Sequence, residues 1–244
     1  MNGILAVLWR EYLYFKKRIW SVTGSALVAP LLYLLAFGWG LGKSVQLAGV
    51  AYLDFIVPGI LALSTMNASF HAVATPLSIA RLYDKTLEEY LVSPITLYSL
   101  AAGKILAGAL RGMYVGALLL ALAFLLGAHC RLSWLLIWLV FLNCLVFASL
   151  GYLVALKIHS HPDMTRFNSF VITPMNFLCG TFFAPEHTPA AVQWLIKALP
   201  LTPASQGLRA LALGQELAWH SPALQLFYLI ILVGWGLRAS QQAE

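Results

Sequence analysis

The sequence predicts an all-α polytopic membrane protein, a single transmembrane domain over residues 1–244, and three observations carry that prediction. First, 61% of the residues are hydrophobic and only 10% are charged, whereas a soluble chain of this length would carry roughly a quarter charged residues. Second, the charges are gathered into short segments. They leave six uncharged runs, between Arg18 and Lys43, Asp54 and Arg81, Arg111 and Arg131, Arg131 and Lys157, Arg166 and Glu186, and Glu216 and Arg238. About 20 apolar residues cross the hydrocarbon as a helix, and each run meets or approaches that length. Third, tryptophans sit at run ends: Trp20 and Trp39, Trp134, and Trp219 and Trp235. Such residues favour the headgroup level on both sides of a bilayer.

In chain order, residues 2–18 read as an amphipathic helix lying in the membrane interface. Ile4, Leu8, Tyr12 and Phe15 share one face, and Arg10, Glu11, Lys16, Lys17 and Arg18 supply the polar side. The apolar run that follows is too long for the core of a cleavable signal peptide and is followed by further spans. Transmembrane helices are expected at 20–42, 55–80, 107–128, 133–156, 167–184 and 219–238. Between the last two, residues 188–214 hold Ala190–Leu199 and Ala204–Leu213, each short, amphipathic and preceded by a proline. Neither is long enough to cross, so both are expected as re-entrant or surface helices on the outer side.

Orientation follows from the basic residues. With the N-terminus inside, the inner side receives Arg10, Lys16, Lys17, Arg18, Arg81, Lys85, Lys104, Arg111, Lys157, Arg166 and Arg238. The outer side receives only Lys43, Arg131, Lys197 and Arg209. This bias places both termini in the cytoplasm. The basic residues behind the net charge of +6 track the membrane sides rather than forming a patch, and no nucleic-acid partner is expected.

Several motifs invite chemistry and most decline it. Gly38–Ser44 (GWGLGKS) has the look of a nucleotide loop, but that motif needs glycine at position 37, which is Phe, and a preceding strand. No cofactor is therefore expected in this chain. Cys130, Cys144 and Cys179 lack metal-ligand spacing. His159-x-His161 offers only two ligands in a turn, and no metal is expected there. The carboxylates Asp54, Asp84, Glu88, Glu89, Asp163, Glu186 and Glu216 fall on opposite sides of the membrane, so no catalytic set forms. Gly108, Gly112 and Gly116 make a stripe that lets helix backbones approach closely. Arg111 lies beside it and either snorkels to inner headgroups or meets a pathway or an anionic head group. Ser64, Asn67 and His71 share one helical face, and Asn143, Asn168 and Asn176 add polar groups in later spans. These side chains must face protein or water, as interhelical hydrogen bonds or as a substrate surface.

The longest polar interruption is Arg81–Lys104, with a coupling loop expected at 84–100. On a helix Leu87 and Leu91 share one face, while Asp84 and Glu88 share another. That combination suits docking into a groove of a soluble partner, and Pro94 would end the helix.

At these residues the chain resembles the membrane subunits of ABC-2 type exporters, in a NodJ-like and drug-exporter-like group. The resemblance rests on APLLYLLAFGWGLG, YLDFIVPGILALS, EEYLVSPITLYSLAAGKIL, FNSFVITPMNFLCGTFFAP and LPLTPASQGLRAL. It implies a six-helix permease, not itself an enzyme, that pairs with a second copy of this chain in the inner membrane of a bacterium. Two copies of a cytoplasmic ATPase subunit, carrying ATP and Mg, would dock beneath. The family's coupling helix falls on Leu87, Glu88, Glu89, Tyr90, Leu91, Val92, Ser93, Pro94 and Ile95. The cargo implied is an amphiphile: a lipo-oligosaccharide, a lipid-linked glycan or a hydrophobic drug. A lipid-modifying transferase, or a channel or scaffold without energy coupling, is the alternative. Phe183-Ala-Pro-Glu186 departs from the family's habit of a proline directly after the aromatic pair.

Overall fold

A computed structural model describes residues 2–39, 46–47, 50–83, 96–179 and 190–242. The first helix, α1 (Asn2–Lys17), breaks at Arg18 and is followed by α2 (Ile19–Tyr33), which continues as a π-helical turn over Leu34–Trp39. A short antiparallel bridge then pairs Gln46 with Ala51 and Leu47 with Val50. Three long helices follow: α3 (Tyr52–Leu82), α4 (Leu97–Leu125) and α5 (Trp134–Lys157). Next comes one helical run made of α6 (His161–Phe167), a π turn over Asn168–Ile172, and α7 (Thr173–Leu178). The chain closes with α8 (Ala190–Ala198), α9 (Leu201–Ala212) and α10 (His220–Gln241).

Among the described residues five helical stretches are long and apolar enough to cross a membrane: Ile19–Ala36, Tyr52–Leu82, Leu97–Leu125, Trp134–Lys157 and His220–Gln241. The stretch expected as a span at 167–184 is helical from its start to Leu178, and residues 180–184 lie outside the described residues. So do 40–42 of the first expected span, 188–189 of the outer segment, most of the nucleotide-loop look-alike, and the whole of Leu87–Ile95. The second outer helix starts three residues before Ala204, because Pro203 falls in its first turn, where a missing N–H leaves nothing unpaired.

α3 is the axis of the bundle. Its side chains from Phe55 to Met66 are all buried, and α4, α5 and α9 pack around it. A helix apolar all round belongs in such a position. α2 and α10 lie at the periphery, with Trp20, Val28, Leu32, Phe227 and Ile230 exposed, as expected of surfaces that meet lipid or a neighbour rather than water.

The close approach of the three long helices depends on glycine. A Cβ at Gly116 would lie 2.8 Å from the Thr65 methyl group, and one at Gly112 would run into Ser69 and lie 2.8 Å from Cys144 Sγ. A Cβ at Gly108 would collide with Val73 and come within 3.1 Å of Ala148. The α4 stripe therefore faces α3 and α5 together. Gly151 on α5 is tighter in kind, since its Cβ would meet a backbone atom, the Phe70 carbonyl oxygen, at 2.7 Å. Interhelical packing of this sort is what holds membrane helices together when lipid is as apolar as the core.

Polar termini are closed locally. Thr96, Ser133 and Ser160 accept hydrogen bonds from the amides of Ser99, Leu136 and Asp163 and so cap α4, α5 and α6. Gly127 and Gly214, at φ of 85° and 73°, end α4 and α9 with paired backbone bonds: Ala128 N to Ala123 O, and Gln215 N to Ala210 O. At the other end of α5, Arg81 of α3 donates to the carbonyls of Leu156 and Ile158 (3.1 Å for the latter), which the helix itself leaves unpaired. Arg81 is thus more than a face anchor; it ties α3 to the end of α5.

The turn between α4 and α5 is pinned to the start of α3, where the His129 amide donates to Asp54 Oδ1 at 2.7 Å. Beside it, burial and then the nearby Asp54 carboxylate push the Cys130 thiol up to about 11. Cys144 and Cys179 are buried, so maleimide labelling of the folded chain reports Cys130. At pH 8 that labelling is expected to run roughly 100-fold slower than at a thiol titrating near 9, because the reactive thiolate is scarcer by that factor. Its rate should climb about tenfold per pH unit towards 11; a plateau already at pH 9 would contradict the assignment.

Candidate functional site

Helical periodicity puts Ser64, Asn67 and His71 on one face of α3, and the packing places that face opposite α2 and α4. Together they line a cavity of about 290 Å³ with Val22, Ala29, Ala72 and Arg111. Ser64 is buried, and its Oγ has no hydrogen-bond partner among the described residues. The His71 ring stands edge-on to Phe70 with centroids 5.1 Å apart and is otherwise exposed to the cavity side. A second cavity, about 380 Å³, lies between α1 and α4. Its walls are largely Leu5, Leu8, Trp9, Tyr12, Phe15 and Leu110. Ala72 and Arg111 line both spaces.

Arg111 therefore stands at the junction. It is half-buried, its guanidinium lies 5.7 Å from the Phe15 ring centroid, and it forms no hydrogen bond or ion pair among the described residues. A cation so placed in a span is held where it is only by some compensating partner or by access to a polar surface. Pro76 adds a second polar feature here, because it withholds the N–H that would otherwise close on the Ala72 carbonyl.

The other polar residues of the spans divide by role. Asn67 donates to Asn176 Oδ1 at 2.9 Å and also to the Leu63 carbonyl at 2.9 Å, joining α3 to α7. Asn143 is fully buried and donates to the Ala62 carbonyl at 3.1 Å and to Thr65 Oγ1 at 3.0 Å, which ties α5 to α3. Asn168 does not join the main cavity. It lines a separate polar space of about 180 Å³ with Thr75, Ser78 and Thr165, and its Oδ1 is buried without a hydrogen-bond partner among the described residues.

An ion pair helps fix α1 to this site. Lys104 of α4, 7% exposed, bonds to Glu11. Phe15 stands edge-on to Tyr114 at 5.2 Å, and Tyr114 shares a hydrogen bond with Thr23 of α2 at 2.8 Å. By pattern alone Glu11 is only part of a polar side and Lys104 an inner-face charge; their pairing across 93 positions has no local signal. Gly151 is likewise unmarked by any glycine repeat. Ala148, Gly151 and Ala155, small residues at three- and four-residue spacing on α5, were the available hint. On the far side of the bundle, Arg209 of α9 stacks over the Phe55 ring at 3.8 Å and donates to the Phe55 carbonyl at 3.2 Å.

No group of three or more His, Cys, Asp or Glu side chains that could hold a metal occurs among the described residues. The architecture is that of a multi-pass helical membrane protein with polar cavities at span depth. The chain belongs to the ABC-2 type transporter family, whose pattern it matches over residues 2–213. It is similar to the inner membrane transport permease YadH of Escherichia coli (strain K12), with 29% identity over 84% of this chain and 81% of the relative. It is also similar to nodulation protein J of Rhizobium meliloti (strain 1021), with 32% identity over 87% of this chain and 82% of the relative. Nodulation protein J of Rhizobium leguminosarum bv. trifolii aligns over 93% of this chain at 30% identity. The chain is accordingly a transport subunit, the membrane-spanning permease of an ABC-2 type exporter, and its family implies partnership with an ATP-binding cassette ATPase.

Proposed function

We propose that two copies of this chain form the membrane half of an exporter that moves an amphiphile across a bacterial inner membrane. Each copy crosses six times, with the expected span at 167–184 as the fifth crossing, and both termini are cytoplasmic. Two separately encoded ATPase subunits bind ATP and Mg and dock at Leu87–Ile95. The cargo classes that fit are a lipo-oligosaccharide, a lipid-linked glycan or a hydrophobic drug.

The observation that carries this reading is the cavity lined by Ser64, Asn67, His71 and Arg111 inside an otherwise apolar bundle. Polar groups at that depth are expensive unless they meet something polar. The name of the YadH relative supports the inner-membrane location. The permease names of relatives also favour transport over a lipid-modifying transferase.

Isolation of the tagged chain from its native membrane in mild detergent tests the assignment. An ATPase carrying its own nucleotide loop should co-purify in equal number with the permease. Its consistent absence under conditions that preserve the permease dimer would overturn the proposal and favour a channel or scaffold.

A further inference from the structure

The groove between α1 and α4 is lined mostly by aliphatic and aromatic side chains, among them Tyr12, Tyr14 and Tyr114; its charged members are Glu11, which is engaged by Lys104, and Arg111, which is engaged by no acceptor among the described residues. The second cavity, between α2, α3 and α4, is polar at Ser64, Asn67 and His71. The two meet at Arg111 and Ala72. We propose that the groove is the lateral door through which an anionic amphiphile leaves the bilayer, with Arg111 handing its charged head group from the groove to the polar cavity. This rests on the reading of the chain as an exporter and names the charge of its cargo and the side from which it arrives.

The chemistry selects that occupant. Trp9, Tyr12 and Phe15 line the groove with flat, partly polarisable surface suited to an acyl chain near the headgroup level. A lipid without an anionic group would leave the Arg111 guanidinium without an acceptor once the groove is filled and water displaced, and a zwitterion could pair its phosphate only by bringing its own ammonium beside that cation, whereas a net-anionic head group pairs without that cost. A lipid that merely resides in the groove would have no use for the second cavity. The polar lining beyond Arg111, with the Ser64 hydroxyl buried and without a partner among the described residues, gives the head group a place to go. The occupant is thus cargo in transit rather than a fixed annular lipid.

Two probes test this on the full chain in phosphatidylcholine nanodiscs: a fluorescent lysophosphatidylglycerol bearing a head-group diazirine, and its lysophosphatidylcholine counterpart. The anionic probe should bind with an affinity that Arg111→Gln lowers about tenfold, the scale of one charge-assisted contact, while Arg111→Lys retains most of it. The choline probe, whose phosphate reaches Arg111 only with its own trimethylammonium alongside, should bind more weakly and lose less on Arg111→Gln. On irradiation the anionic head group should label α2 at Ser25–Ala29 as well as α1 and α4. Ala72→Phe, which narrows the junction, should remove the α2 label and leave the α1 label. Equal binding of the two probes, or binding unchanged in Arg111→Gln, would overturn the charge assignment. Labelling confined to α1 and α4 in the unmodified chain would overturn transit. None of these readouts requires an ATPase, so failure of the exporter reading and failure of this one are distinguishable.

Discussion

Gly151→Leu is expected to leave almost no folded permease, with a loss of about 3 kcal/mol or more from overpacking alone. The reason is the identity of the neighbour. A Cβ at Gly151 would sit 2.7 Å from the Phe70 carbonyl oxygen and 3.3 Å from the Ala74 amide nitrogen. Backbone atoms of α3 cannot rotate aside as a side chain can, so α5 must move away from the axis of the bundle. That movement would also stretch the Asn143 hydrogen bonds to Ala62 and Thr65. Even Gly151→Ala should destabilise, despite alanine's better helix propensity of up to about 1 kcal/mol. At Gly234 of α10, by contrast, an added Cβ meets nothing within 4 Å, and alanine there should be neutral or mildly stabilising. Thermal unfolding of detergent-solubilised protein, followed by the monodisperse fraction, orders the variants. Gly151→Leu as stable as Gly234→Ala would contradict the packing described.

Much of the fold was legible because membrane helices write themselves in composition and charge spacing. The glycine stripe at 108, 112 and 116 was readable from its period, and so was the shared face of Ser64, Asn67 and His71. What was not readable was partnership between distant segments. Gly151 belongs to no glycine stripe, only to a small-residue spacing shared with Ala148 and Ala155, and its importance comes from a carbonyl on another helix. Asn143 could be marked as polar, but its bond to Thr65 depends on how α5 crosses α3. The position of Arg111 beside the stripe is plain in the sequence, yet only the packing of α1 against α4 shows that it faces two cavities at once. Arg81 and Lys104 looked interchangeable as inner-face cations. One instead closes the end of α5, and the other holds α1.

The second large effect is expected from replacing Glu88, Glu89 and Leu91 together, in the stretch that the family resemblance marks as the coupling helix. Those residues lie outside the described ones, but what flanks them is firmly tied. On one side α3 ends at Leu82, with Arg81 bonded to the carbonyls that close α5. On the other, α4 begins at Leu97 under the Thr96 cap, and two turns later Lys104 grips Glu11 of α1. A displacement delivered between Tyr83 and Thr96 would therefore reach α3, α4, α5 and α1 as one packed body rather than fading in a loop. Rigid-body shifts of this sort are how packed helices answer a change at one surface. α1 and α4 are also the walls of the groove, so the same displacement would bear on the space that Arg111 guards. The three substituted side chains are expected to serve the partner rather than the bundle, and the permease should still assemble.

The measurement that decides is cargo transport together with cargo-stimulated ATP hydrolysis by the reconstituted permease–ATPase complex, compared between the native chain and the Glu88→Ala, Glu89→Ala, Leu91→Ala variant. The variant should assemble as the native permease does, while losing both transport and the cargo-dependent part of hydrolysis. A variant that transports at the native rate would contradict the claim that work enters this chain through Leu87–Ile95.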